Sequence, residues 1–213
     1  MSALPNVLTM PEIAPRKRVV RSRCAHLEAG QLEAFMTAAK AHGTREWAMF
    51  IFAFSHGARV SEICDLRWAD VNFHTKQVTV ARKKHSLEQT QAFLKVKGSA
   101  VFDEEKALRA WKEERTADGD EFVFNSQRST KLNRVTVWKL FAKIAEAAGL
   151  PASHRHPHVM KHTLGTLMAQ KGASAFAIQQ KLGHRSISST AVYVNLTSQQ
   201  ADSVSAAIMN QLL

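Results

Sequence analysis

The sequence predicts a mainly α domain of the α+β class, helical with a small antiparallel β-sheet. Three observations point there. Apolar residues recur at helical spacing through the first quarter of the chain, a stretch of alternating apolar and polar residues follows, and helical patterns resume at Glu104. Leu27, Leu32, Phe35, Met36 and Ala39 form the first stripe. Gly43-Thr44 separates it from an almost wholly apolar run, Arg45 to His56, which reads as a buried helix. Val71 to Val80 alternates as a half-buried strand, and the apolar run from Thr90 to Val96 can pair with it. A helix over Glu104 to Arg115, a short strand or loop at Phe122-Val123-Phe124, and a helix over Arg134 to Ala148 closed by Gly149-Leu150-Pro151 come next. Trp47, Trp68, Trp111 and Trp138 lie on apolar patterns and are expected in the core.

Composition narrows the partners. A chain of 213 residues with formal net charge +11 attracts polyanions, and nucleic acid is the first to consider. Its 45% hydrophobic residues exclude a merely disordered cationic tail. Cys24 and Cys64 are too few for a disulfide framework or a thiolate metal site, so a reducing cytoplasm is the expected location. Residues 1 to 15 lack the apolar stretch of a signal peptide, and Trp47 to Phe54 is too short to span a bilayer, so no membrane partner is expected. Residues 1–24 read as a basic arm, with Pro5, Pro11 and Pro15 followed by Arg16, Lys17, Arg18, Arg21 and Arg23; it touches phosphates or is simply solvated. One domain over 25–197 and a helix over 198–213 complete the expected organisation, without internal repeats.

The chemistry concentrates in two segments. Arg59 follows a glycine that can end the buried helix, and Glu62 three residues on can orient its guanidinium, although a plain surface ion pair fits the same spacing. In His154-Arg-His-Pro-His158-Val-Met-Lys161-His162, His158 shares one helix face with Lys161 and His162 near a helix N-terminus, the end that anions favour. Gly183 then permits a tight turn presenting His184, and Tyr193, the single tyrosine of the chain, stands nine residues further. A phenol downstream of a Gly-His turn in a basic chain points to a nucleophile aimed at phosphate.

These residues resemble the tyrosine recombinase or phage integrase family. Its first box, Gly-x-Arg-x-x-Glu-x-x-x-Leu-x-Trp-x-Asp, is reproduced by Gly57 through Asp70. Its second, His-x-x-Arg-His followed by Leu-Gly-His and a tyrosine, is followed from His158 to Tyr193 with one departure: Lys161 stands at the second arginine. The resemblance covers about Leu27 to Asn195 and implies a tyrosine-recombinase catalytic domain. It implies that Tyr193 attacks the scissile phosphate to form a 3′-phosphotyrosyl bond, with Arg59, His158, Lys161 and His184 around the reacting groups. Glu62 and His162 take supporting places, and Trp68 of the first box is placed beside the site. The family's hairpin lysine, the general acid, maps onto Lys83 with Lys84 as reserve, and Arg82 next to it would lower its pKa.

Lysine at 161 keeps a positive charge but lacks the planar fork of arginine, so a slower enzyme is expected. Arg82, Arg128, Lys131, Arg134 and Arg155 are candidate DNA contacts, though Arg128, Lys131 and Arg134 fit a solvated helix cap equally well. The histidine run from His154 to His162 lacks acidic or thiolate companions and reads as phosphate-facing or structural, so no metal and no cofactor is expected.

The expected partners are double-stranded DNA, further copies of the chain as a tetramer on two duplexes, and accessory DNA-bending proteins. The terminal helix either docks on a neighbouring subunit or packs on its own domain. With about two dozen residues before the first helix, the chain resembles short single-domain recombinases of the fimbrial-switch inversion type, or a catalytic fragment. Site-specific recombination is the expected activity. A recombinase-derived DNA-binding protein and a type IB topoisomerase-like nicking and closing enzyme are its rivals.

Overall fold

A computed structural model describes residues 25–82, 89–115, 121–126 and 131–193. Within them the chain runs α1 (Ala29–His42), α2 (Thr44–Ser55), α3 (Val60–Asp65), β1 (Val71–Asn72), β2 (Gln77–Val80), β3 (Gln89–Ala92), α4 (Glu104–Glu114), α5 (Arg134–Ala147), α6 (His158–Gln170) and α7 (Ala175–Leu182). The strands form one antiparallel sheet in the order β1-β2-β3. The helical domain with a small antiparallel sheet expected above is thus the one observed.

The core is built on α2. Every residue from Glu46 to Ser55 is buried, because α2 packs against α1, α3, α4 and α6 and leaves no face for water. Phe35 of α1, Phe50 of α2 and Phe141 of α5 meet with ring centroids 4.6 to 5.5 Å apart, two of the three pairs edge-on. The C-terminal end of α2 is polar but closed. His56 Nε2 lies 2.7 Å from Glu104 Oε1, Ser55 Oγ donates to Glu104 Oε2 at 2.9 Å, and the Leu94 N–H donates to the same oxygen at 2.8 Å. This buried cluster fastens α4 and the segment after β3 onto α2.

Two strand expectations need correction. Val71 to Val80 is not one strand but a hairpin: Val71 pairs with Val78 and Asn72 with Gln77. The turn comes from Asn72, whose Oδ1 accepts the N–H groups of His74 and Thr75, and from Lys76, which takes a left-handed φ of 55°. The second run pairs over Gln89–Ala92 rather than Thr90 to Val96, and Lys95 instead bridges to Asp103. The tryptophans also divide. Trp47 is buried, Trp68 and Trp111 are half-buried, and Trp138 is 43% exposed on α5, where its ring stacks on His156.

The N-terminal arm, Cys24, the hairpin tip with Lys83 and Lys84, Arg128 and the terminal helix lie outside the described residues. No helix among the described residues is long and apolar enough to cross a membrane.

Candidate active site

The site begins where α2 ends. Gly57 turns the chain with φ +54°, and a Cβ there would stand 2.5 Å from Leu182 Cδ2, so only glycine lets the first box close against the end of α7. Arg59 follows as the N-cap of α3. The Glu62 carboxylate accepts the Arg59 N–H at 2.9 Å, Arg59 Nη1 at 2.8 Å and Arg82 Nη1 at 2.9 Å. Burial alone would raise the Glu62 pKa. The Arg59 N–H, then the Arg82 charge, outweigh it and hold the carboxyl below its ordinary value. Arg59 is thereby oriented with about a third of its side chain (36%) still exposed.

Arg82 differs from the expectation of a DNA contact. Its side chain is wholly buried, and Nη2 donates to the His56 carbonyl at 2.8 Å and the Lys181 carbonyl at 3.0 Å. Its charge is compensated by Glu62 rather than spent on DNA or on the lysine that follows. It presses against Gly183, where a Cβ would lie 2.6 Å from Arg82 Nε. Gly183 ends α7 in the left-handed region with φ +59°, which throws His184 out of the helix.

The N-terminal turn of α6 supplies the next groups. His158 is its first residue, and Lys161, one turn along, is only 7% exposed and donates from Nζ to the Leu182 carbonyl at 2.5 Å. Burial first, then the Arg59 and Arg82 charges, push the Lys161 ammonium down to about 7. The positive charge expected of lysine here is thus held against the cost of burial and two neighbouring guanidinium groups. The His158 ring, 6.3 Å from Trp138, is lowered by partial burial, then by His156, Lys161 and Arg59.

His184 and Tyr193 complete the cluster. His184 Nδ1 lies 3.0 Å from the buried Thr190 Oγ1, and burial, followed by Lys161, Arg59 and Arg82, pushes its imidazole down to about 4. It is neutral at pH 7, and in the tautomer whose Nδ1 accepts from the Thr190 hydroxyl the proton sits on Nε2, which is then a donor. The Tyr193 ring lies nearly parallel to His184, with centroids 6.1 Å apart and 13° between planes. Its hydroxyl is 2.8 Å from His162 Nδ1. Arg59, Lys161, His162, His184 and Tyr193 therefore belong to one cationic, half-buried basin, suited to holding a phosphate diester beside a phenol.

The outer candidates are less uniform. Arg155 is tied to the Leu150 carbonyl and to Glu146, and Lys131 pairs with Asp65. Arg134 is exposed at the start of α5 and, with Lys131, Ser61 and Asn133, lines an open cleft of about 450 Å³. Trp68 packs against Phe73, Lys112 and Arg115. Thr190 was not anticipated at all: a threonine in a polar run carries no signal that its hydroxyl will be buried against an imidazole.

The phage integrase family model matches residues 25–200. The chain belongs to the phage integrase family. This family member is 29% identical over 178 residues to the type 1 fimbriae regulatory protein FimE of Escherichia coli K12, covering 81% of this chain and 86% of that one. It is 31% identical over 168 residues to FimB of the same strain, covering 76% and 80%. Tyrosine recombinase XerA of Thermococcus onnurineus is 30% identical over 158 residues, 72% of this chain but 51% of its own. Among solved structures, XerA recombinase superposes with TM-score 0.68 at 24% identity, and XerH recombinase bound to its difH substrate with 0.69 at 18%. The integrase fold is shared, with 85% and 89% of this chain spanning 64% and 56% of those two.

Proposed function

We propose that the protein is a site-specific DNA recombinase that cleaves and rejoins duplex DNA through a 3′-phosphotyrosyl intermediate on Tyr193. The observation that carries this reading is the phenol lying against His162 and His184 in the same basin as Arg59 and Lys161. Tyr193 Oη attacks phosphorus and the bond to O5′ breaks, leaving a phosphodiester whose energy is retained for rejoining. Arg59, Lys161 and the Nε2–H of His184 donate to the non-bridging oxygens, with His158 at the rim, and a hairpin lysine at 83 or 84 protonates O5′. The work is done in the cytoplasm on nucleoid DNA, by a tetramer joining two duplexes, with DNA-bending accessory proteins where a target requires them. The likeness to XerA, named a tyrosine recombinase, supports the reading, and XerH bound to its difH substrate shares the fold.

The test uses a nicked suicide duplex built on the sequence this protein itself enriches from a randomised pool. Wild type should trap a covalent adduct on the 3′ side of the break, and Tyr193→Phe should trap none. Attachment through the 5′ end would overturn the chemistry. A second reading, a DNA-binding protein with slow or absent catalysis, is favoured by Lys161, whose ammonium is buried and engaged by Leu182. Lys161→Arg should then raise the rate of adduct formation by about tenfold or more, within the range of one oxyanion donor. No adduct in either protein would leave binding alone.

A further inference from the structure

We propose that His162 is the base that takes the phenolic proton of Tyr193, and that the turn of α6 from His162 to Gly165 is the seat that holds this nucleophile. The inference deepens the recombinase reading and rests on it. His162 Nδ1 reaches the reacting oxygen itself, at 2.8 Å. His184 meets the phenol ring to ring, and its Nδ1 is engaged with Thr190. His158 stands one turn earlier on α6 beside Trp138 and His156, in position to meet phosphate at the rim. Three residues after His162, a Cβ on Gly165 would fall 2.9 Å from Tyr193 Cζ and Cε2. The hydroxyl-bearing end of the ring thus rests directly on the helix backbone, beneath the imidazole that receives its proton.

The protonation state suits the role. Partial burial, then the charges of His158, His156, Lys161 and His26, hold the His162 imidazole below its ordinary value. Its neutral form, with Nδ1 accepting and Nε2 protonated, therefore persists further into the acid range than that of an exposed histidine. As Oη bonds to phosphorus and the bond to O5′ breaks, the phenolic proton moves to His162 Nδ1. The departing O5′ takes a proton from a separate acid, a lysine ammonium or water. On rejoining, the imidazolium returns its proton to Oη as the phosphotyrosyl bond breaks.

The experiment compares two nicked duplexes on the enriched sequence, one with ordinary oxygen and one with sulfur at the bridging 5′ position. Sulfur leaves without a general acid but still needs an activated phenol. His162→Asn, which keeps a polar atom near Nδ1 without its basicity, should slow adduct formation about 10²- to 10³-fold on both duplexes at unchanged DNA affinity. In wild type the rate on the sulfur duplex should fall on the acid side, and the asparagine variant should lose that dependence. Gly165→Leu, favourable for the helix but intruding on the ring, should bind DNA normally and form little adduct. A wild-type rate in either variant, a deficit of the asparagine variant that sulfur repairs, or a wild-type sulfur rate flat through the acid range would overturn the proposal. An adduct in Tyr193→Phe, or none in wild type, would instead overturn the recombinase reading beneath it.

Discussion

Lys161 occupies the most constrained position of the basin, nearly buried with its ammonium against the Leu182 carbonyl and two guanidinium groups nearby. A lysine whose folded value lies near 7, against an unfolded value of about 10.4, burdens the fold fully below pH 7. The burden fades as pH rises between those two values, so stability should climb across that window. Lys161→Met should therefore raise the free energy of urea unfolding by about 2 kcal/mol more at pH 6 than at pH 9. An equal effect at both would mean that Lys161 does not titrate there. Phosphate works the other way by drawing the proton back, which suits a site that charges on binding DNA. Some of this was readable from sequence. Glu62 at three residues from Arg59 announced an oriented arginine, and the helical spacing of His158, Lys161 and His162 placed them on one turn. Arg82 was not readable, since a basic residue beside two lysines looks like surface. What buries it are one carboxylate oxygen and two carbonyls brought from remote segments.

At the scale of elements, the join of α2, α4 and the end of β3 depends on one carboxylate. Glu104→Ala would leave His56, Ser55 and the Leu94 N–H facing a void, a loss of about 3–5 kcal/mol for a broken buried cluster. Urea unfolding measures it, and a change under 1 kcal/mol would contradict the assigned role. Helices α1, α2, α4 and α5 were legible because apolar spacing and breakers agreed, with Gly43 between α1 and α2 and Gly149 after α5, whereas α7, capped by Ser174 and closed by Gly183, was not read from the sequence. The sheet was less legible. Val71 and Val78 stand seven residues apart, so the alternation slips by one across the four-residue turn, and Val71, Val78 and Val80 are all buried although the chain has reversed between them. With no glycine at the reversal, that slip and the Asn72 side chain are what mark it.

For the whole molecule, the net charge of +11 sets how DNA is held. Binding that neutralises six or more phosphates should weaken by about 10³-fold or more between 50 and 200 mM salt, linearly in log–log form, as fluorescence anisotropy would record. A flat response would deny phosphate a leading part. The overall architecture was legible because period and composition report burial, whereas the meeting of distant segments is a property of packing alone. Gly57 against Leu182 is the joint that brings the two boxes together. A chain still leaving the ribosome, or one clipped ahead of α7, carries its cations and Arg59 but has neither the lid on that joint nor the imidazole and phenol beyond it. With Tyr193 as the proposed nucleophile, a chain that stops ahead of α7 should form no adduct, whatever its cations touch.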